Sequence, residues 1–257
     1  MSWADSPRPS KTLLGPEDPP ADIVLNPGAT SRFFLVGDHA GRAVPARLGD
    51  MGLTPDMWDR HIAWDIGVAA LGERLSRSLD ATFVRQTYSR LVIDCNRWAD
   101  AADSIPAVSD GVAIPANRDL LEGERAQRRA EVLQPYHERI SALLEARRRK
   151  GQATLFVSLH SFTPIMQGSR RPWRYGVLHR ADSALSRHML AALRREMGEE
   201  AGDNQPYAMD GRDATVPQHA DPRGLDYLEL EVRQDLIADD DGNQAAAALI
   251  ERLLRAF

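Results

Sequence analysis

Two histidines stand where apolar runs stop. His39 lies in Gly37-Asp38-His39-Ala40-Gly41, directly after Arg32-Phe33-Phe34-Leu35-Val36, and His160 ends Thr154-Leu155-Phe156-Val157-Ser158-Leu159, ahead of Ser161-Phe162-Thr163-Pro164. Ionisable groups occupy similar positions elsewhere: Asp94 to Arg97 follow Arg90-Leu91-Val92-Ile93, and Glu229, Glu231 and Arg233 alternate with Leu228, Leu230 and Val232. Two imidazoles from different strand ends plus nearby carboxylates are the ingredients of a catalytic zinc site, which takes three protein ligands and leaves a position for water. The ion acidifies that water toward neutral pH, and a free glutamate then serves as general base. The same histidines also suit a plain structural role as hydrogen-bonded groups.

These groups meet only if the apolar runs are strands of one sheet whose carboxyl ends open on a common crevice. The pattern predicts strands at residues 32–36, 82–84, 90–94, 154–159, 174–178 and 227–233. Helices are expected at residues 55–79, 120–150 (kinked or divided at Pro135), 181–200 and 242–257. Strands separated by helices make an α/β fold, here read as one domain. Residues 1–31 carry Pro7, Pro9, Pro16, Pro19, Pro20 and Pro27, a density expected to deny regular hydrogen bonding, so this segment reads as an arm ahead of a domain at residues 32–257.

The chain has 257 residues, 43% hydrophobic and 27% charged, which excludes a fibrous or disordered protein. Thirty-two basic against 37 acidic residues leave a net charge of −5, without the basic excess that nucleic acid requires. A single cysteine, Cys95, excludes an intramolecular disulfide and a thiolate zinc cluster. The sequence offers no membrane span and reads as cytoplasmic, with a small molecule as partner and nothing that fixes an oligomeric state.

Five motifs occur in order: Gly37-Asp38-His39-Ala40-Gly41-Arg42-Ala43-Val44-Pro45, Arg60-His61-Ile62-Ala63-Trp64-Asp65-Ile66-Gly67, Tyr88-Ser89-Arg90-Leu91-Val92-Ile93-Asp94-Cys95-Asn96-Arg97, Ser158-Leu159-His160-Ser161-Phe162-Thr163-Pro164 and Leu228-Glu229-Leu230-Glu231-Val232-Arg233-Gln234-Asp235-Leu236. Together they resemble the N-formylglutamate amidohydrolase family, kin of the zinc-carboxypeptidase-like and succinylglutamate desuccinylase-like hydrolases. The resemblance runs from about residue 31 to the end. It implies a zinc-exopeptidase-like (phosphorylase/hydrolase-like) fold, a single α/β domain with a mixed, mostly parallel sheet flanked by helices, and one zinc ion, or another divalent metal in its place. The implied reaction is hydrolysis of N-formyl-L-glutamate or a similar N-acyl amino acid, in the context of histidine breakdown.

Residue by residue, the resemblance implies His39 and His160 as metal ligands. The wider group takes its carboxylate three residues after the first histidine, where this chain has Arg42, which binds no cation. Asp65 is then the candidate third ligand and Asp38 the alternative. Asp65 has a second role open to it on a helix face, paired with a neighbour or orienting a ligand imidazole. Glu231, in Glu231-Val232-Arg233, resembles the catalytic glutamate; Glu229 is expected to support it, and Arg233 to share its strand face as a substrate-binding residue. Asn96-Arg97 resembles the pair that grips a substrate carboxylate, a task suited to guanidinium. Arg90, Arg170, Arg171 and Arg174 are candidates for a second carboxylate. Loops at residues 163–174 and 211–219 are expected to cover the site, with His219 polarising the scissile carbonyl. His61 reads as a core or ligand-orienting imidazole, His137, His179 and His188 as surface residues, and Cys95 as a buried structural thiol. Arg42 keeps open a carboxylate-binding protein without turnover, and because a family fixes a reaction better than a side-chain pocket, a hydrolase of another N-acyl amino acid or small peptide is the other alternative.

Overall fold

Alternation along Tyr227–Arg233 puts Leu228, Leu230 and Val232 into one apolar cluster and leaves Glu229 and Glu231 on the opposite face, so this strand divides a core from a polar crevice. The computed structural model describes residues 12–180 and 183–257. Its strands are β1 (Asp22–Leu25), β2 (Phe33–Gly37), β3 (Thr82–Gln86), the short hairpin β4 (Val108–Ser109) and β5 (Val112–Ala113), β6 (Leu155–Phe162), a second hairpin β7 (Ile165–Met166) and β8 (Ser169–Arg170), then β9 (Tyr175–Leu178), β10 (Ala201–Asp203) and β11 (Tyr227–Arg233). The helices are α1 (Val68–Leu79), α2 (Glu122–Arg128), α3 (Gln134–Arg149), α4 (Ala184–Met197), α5 (Thr215–His219) and α6 (Asp240–Arg255).

Seven strands form one sheet in the order β1-β3-β2-β6-β11-β9-β10. The central four, β3, β2, β6 and β11, run parallel; β1 opposes β3, and β9 with β10 opposes β11. This is the mixed, mostly parallel α/β sheet expected. One face packs Leu35, Val157, Leu159 and Leu230 against the apolar sides of α1, α4 and α6. The other packs Phe34, Val36, Phe156 and Tyr227 against α3 and the irregular chain around Leu91, Val92 and Ile93. No helix among the described residues is long and apolar enough to cross a membrane.

Four expectations are corrected. Residues 22–25 pair with β3, so the proline-rich segment is not irregular throughout; residues 1–11 lie outside the described structure. The helix expected over residues 55–79 is a short 3-10 turn at Pro55–Asp59, then turns, then α1, because Gly67 adopts φ +84° and a Cβ there would meet the Ile237 carbonyl oxygen at 2.3 Å. Residues 90–94 form a buried turn, not a strand. The helix around Pro135 does not break: a π-helical stretch, Arg129–Leu133, joins α2 to α3 just ahead of the proline, which has no N–H to donate.

Candidate active site

The parallel strands bring distant segments to one edge. His39 follows β2 by two residues, and β6 pairs with β11 so that His160 lies beside Glu231 and Ser158 beside Glu229. The Asp65 N–H donates to the His39 carbonyl at 2.9 Å, which seats Asp65 next to that histidine in the turns preceding α1. Asp65 Oδ2 then lies 3.5 Å from His39 Nδ1 and 3.1 Å from His160 Nδ1. The opposite ring nitrogens are held from behind. His39 Nε2 is 2.7 Å from Asp94 Oδ1; His160 Nε2 is 3.1 Å from Ser158 Oγ and 3.4 Å from Asp38 Oδ2. Tyr136 donates its hydroxyl to Asp38 Oδ1 at 2.8 Å, fixing that carboxylate.

His39 Nδ1 is buried without a hydrogen-bond partner, and it faces the same carboxylate as His160 Nδ1. Ligand atoms of His39, Asp65 and His160 all lie within 4.8 Å of one another. An orphaned imidazole nitrogen, a second imidazole and a carboxylate, each imidazole backed by an acid, make a donor set that fits a divalent cation. Electrostatics agree. Burial alone would raise the Asp38 and Asp94 carboxyls, but His160 holds Asp38 at about 2, and Arg90 and His39 hold Asp94 well below the carboxylate range. Asp65 is likewise lowered, against its burial, by the two histidines. This places three buried anions around two imidazoles.

Glu229 and Glu231 face the same cavity, of about 220 Å³. Each has an Oε2 atom that is buried without a partner, and burial pushes the carboxyls up to about 8 and about 7 respectively. A carboxyl poised near neutral pH beside a metal-type donor set is suited to proton transfer.

Asn96 and Arg97 also line the cavity. Asn96 Oδ1 accepts from the N–H groups of Ala214 and Thr215, which ties down the loop before α5. Arg97 donates through Nη1 to Asp213 at 3.0 Å and through Nε to Asp103 at 3.2 Å. Arg90 reaches the cavity but is engaged by Asp94, 2.6 Å away, and Asp65, 3.5 Å away. His61 lines the mouth, 3.1 Å from Asp110. Above the site, Arg171 lies over the Tyr207 ring at 4.6 Å and donates to its hydroxyl, joining the 163–174 loop to a second loop that contributes Tyr207, Asp210, Arg212 and Asp213.

Other expected residues do not join the site. Arg233 turns to Asp235 and the Trp173 carbonyl, and neither it nor Arg174 or the exposed Arg170 is part of the cavity wall. Arg42 is paired with Asp59 over the Trp64 ring, and the carboxylate that lies within reach of both histidines is that of Asp65. Asp38 backs His160 through the ring's far nitrogen, on the side away from Asp65. His219 is fully buried and stacks on Phe156 outside the cavity, since α5 carries it beneath the sheet. There it meets His137, which is buried, not superficial. The acceptors order that pair: His137 donates Nε2–H to the Cys95 carbonyl at 2.9 Å, accepts at Nδ1 from His219 Nε2–H at 2.8 Å, and His219 Nδ1 accepts from Ser141 Oγ at 3.3 Å. His188 is half-buried against the Leu253 carbonyl, and His179 pairs with Asp203 near the surface.

A mostly parallel α/β sheet with a buried His-Asp-His group and two buried glutamates at its edge defines a hydrolase. Residues 31–238 match the family model described as N-formylglutamate amidohydrolase, and the chain belongs to that family, whose enzymes hydrolyse amides. The structure is similar to that of a gene product of Agrobacterium tumefaciens, with 36% identity, TM-score 0.92, and coverage of 95% of this chain and 97% of that one. It also shares its fold with N-formylglutamate amidohydrolase from Ralstonia eutropha, at 20% identity, TM-score 0.66, and coverage of 92% and 96%. No curated protein matches the chain.

Proposed function

We propose that this protein is a metal-dependent amidohydrolase that converts N-formyl-L-glutamate, or a similar N-acyl amino acid, to formate and the free amino acid. His39, Asp65 and His160 would hold the ion, and zinc is the metal we assign. When bound, such an ion acidifies a water and polarises the amide carbonyl. Glu231 accepts the proton from the attacking water and delivers it to the departing amine nitrogen as the C–N bond breaks. Glu229, whose carboxyl burial pushes up, lies on the same strand face and supports it. Arg97 and Asn96 receive a substrate carboxylate. Histidine breakdown in the cytoplasm is the setting we assign, since N-formylglutamate is a late intermediate there.

The observation that carries this reading is the partnerless His39 Nδ1 turned toward the carboxylate that also meets His160. The test is formate release from N-formyl-L-glutamate by purified protein, before and after chelation and after zinc is restored. Activity lost on chelation and regained with zinc is expected. Full activity in chelated, metal-free protein would overturn the metal assignment, and no formate from zinc-loaded protein would overturn the substrate.

A further inference from the structure

The cations on the cavity wall are already engaged by acids of the chain itself. Arg90 is held by Asp94 and Asp65, Arg212 by Asp210, and Arg97 by Asp213 and Asp103. Arg97 is the informative case. Its Nη1 spends both hydrogens, one on Asp213 Oδ1 at 3.0 Å and one on the Asn96 carbonyl at 2.9 Å. The same Asp213 oxygen lies 3.4 Å from Asn96 Nδ2. The Asn-Arg grip therefore already holds a carboxylate, and that carboxylate belongs to the protein. End-on, bidentate binding of a second carboxylate needs a donor from each terminal nitrogen of the guanidinium, so it must take over the bond now made to Asp213.

Resting on the amidohydrolase reading, we infer that Asp213 is a specificity-determining residue: an internal stand-in for the substrate carboxylate, which substrate must displace from Arg97 and Asn96. Displacement turns the side chain and also gives up the bond that Asp213 Oδ2 accepts from the Asp210 N–H at 3.2 Å. The loop itself stays anchored, because the Ala214 and Thr215 N–H groups bind Asn96 Oδ1 and Trp98 Nε1 donates to the Gly211 carbonyl. Asp213 thus raises the concentration at which a carboxylate substrate fills the site, and it acts on the one carboxylate that Arg97 grips.

The test compares wild type with Asp213→Asn and Asp213→Ser on N-formylglutamate and on its two monoamides, N-formylglutamine and N-formylisoglutamine. Both variants are expected to lower KM for N-formylglutamate by about tenfold, the effect of removing one competing charge. They should lower KM equally for the monoamide that keeps the gripped carboxylate and leave the other unchanged. Unchanged KM for all three, or an equal rise for all three, would overturn the proposal and leave Asp213 a structural brace. Calorimetric titration with glutarate reads the same exchange without turnover: about tenfold tighter binding by the variants supports it, and equal affinity overturns it. If the wild type hydrolyses none of the amides, the amidohydrolase reading fails, while glutarate still decides the role of Asp213.

Discussion

Asp94 Oδ1 lies 2.7 Å from His39 Nε2, and this bond turns the other ring nitrogen toward Asp65 and His160. Asp94 is thus a positioning residue. Asp94→Asn should lower metal affinity by about 10- to 100-fold, as loss of a carboxylate behind a ligand histidine typically does. Competition with a coloured chelator measures this; unchanged affinity would show that the ring needs no such support.

Glu231 is separate from the donor set, so its loss should spare the ion. Glu231→Gln is expected to reduce turnover by about 10²- to 10⁴-fold at unchanged metal content, the span of general acid–base catalysis. Elemental analysis of the variant alongside its formate release checks both halves. A fully active variant would remove Glu231 from the chemistry.

The buried His137–His219 pair predicts a pH effect on stability. Burial and the neighbouring imidazole lower His219 to about 3 from its ordinary 6.5, and burial also lowers His137. Between those values the unfolded chain binds protons that the folded one refuses, so this contribution is complete above pH about 6.5 and is lost as pH falls toward 3. Its slope reaches at most about 1.4 kcal/mol per pH unit for each histidine. Urea unfolding at pH 7.5 and 5 should show a smaller decline in His219→Gln than in wild type. Equal declines would mean that His219 takes up its proton without unfolding.

Arg128 is buried, with Nη1 donating to the Val92 carbonyl at 2.9 Å and to Asn117 Oδ1 at 2.6 Å, and Nη2 donating to the Ala116 carbonyl at 3.3 Å. Burial lowers its pKa to about 10, still well above neutrality. This cation clamps the irregular chain that presents Asp94 and Arg97. Arg128→Ala should destabilise the fold by about 3 kcal/mol or more, since carbonyls and an amide oxygen lose their buried donors together. A change below about 1 kcal/mol in chemical denaturation would contradict that role.

The histidines and Glu231 are legible in the sequence because strand periodicity exposes them: an apolar run stops at His39 and at His160, and alternation isolates Glu231 on a polar face. Asp65 is legible as a residue but not in its setting, because apolar spacing continues across Gly67 while the left-handed glycine interrupts the helix. Leu91-Val92-Ile93 imitates a strand, yet its burial comes from packing under α3, and its polar groups are satisfied by Asn117 and Arg128 instead of a ladder. The place of His219 is not legible, because nothing local reveals that α5 turns it beneath the sheet. Asp213 carries no signal, since its significance lies in a partner 116 residues away.

The sheet order also bears on synthesis. β11, the last of the sheet's strands to leave the ribosome, lies between β6 and β9, both made earlier. A nascent chain ending before Tyr227 holds His39, Asp65 and His160 but not the strand that joins the two halves of the sheet, nor Glu229 and Glu231. An unfinished polypeptide therefore lacks both buried glutamates of the cavity until the seam closes. Truncation ahead of that strand leaves β6 and β9 without the strand that pairs with both, unpaired edges of the kind that promote aggregation.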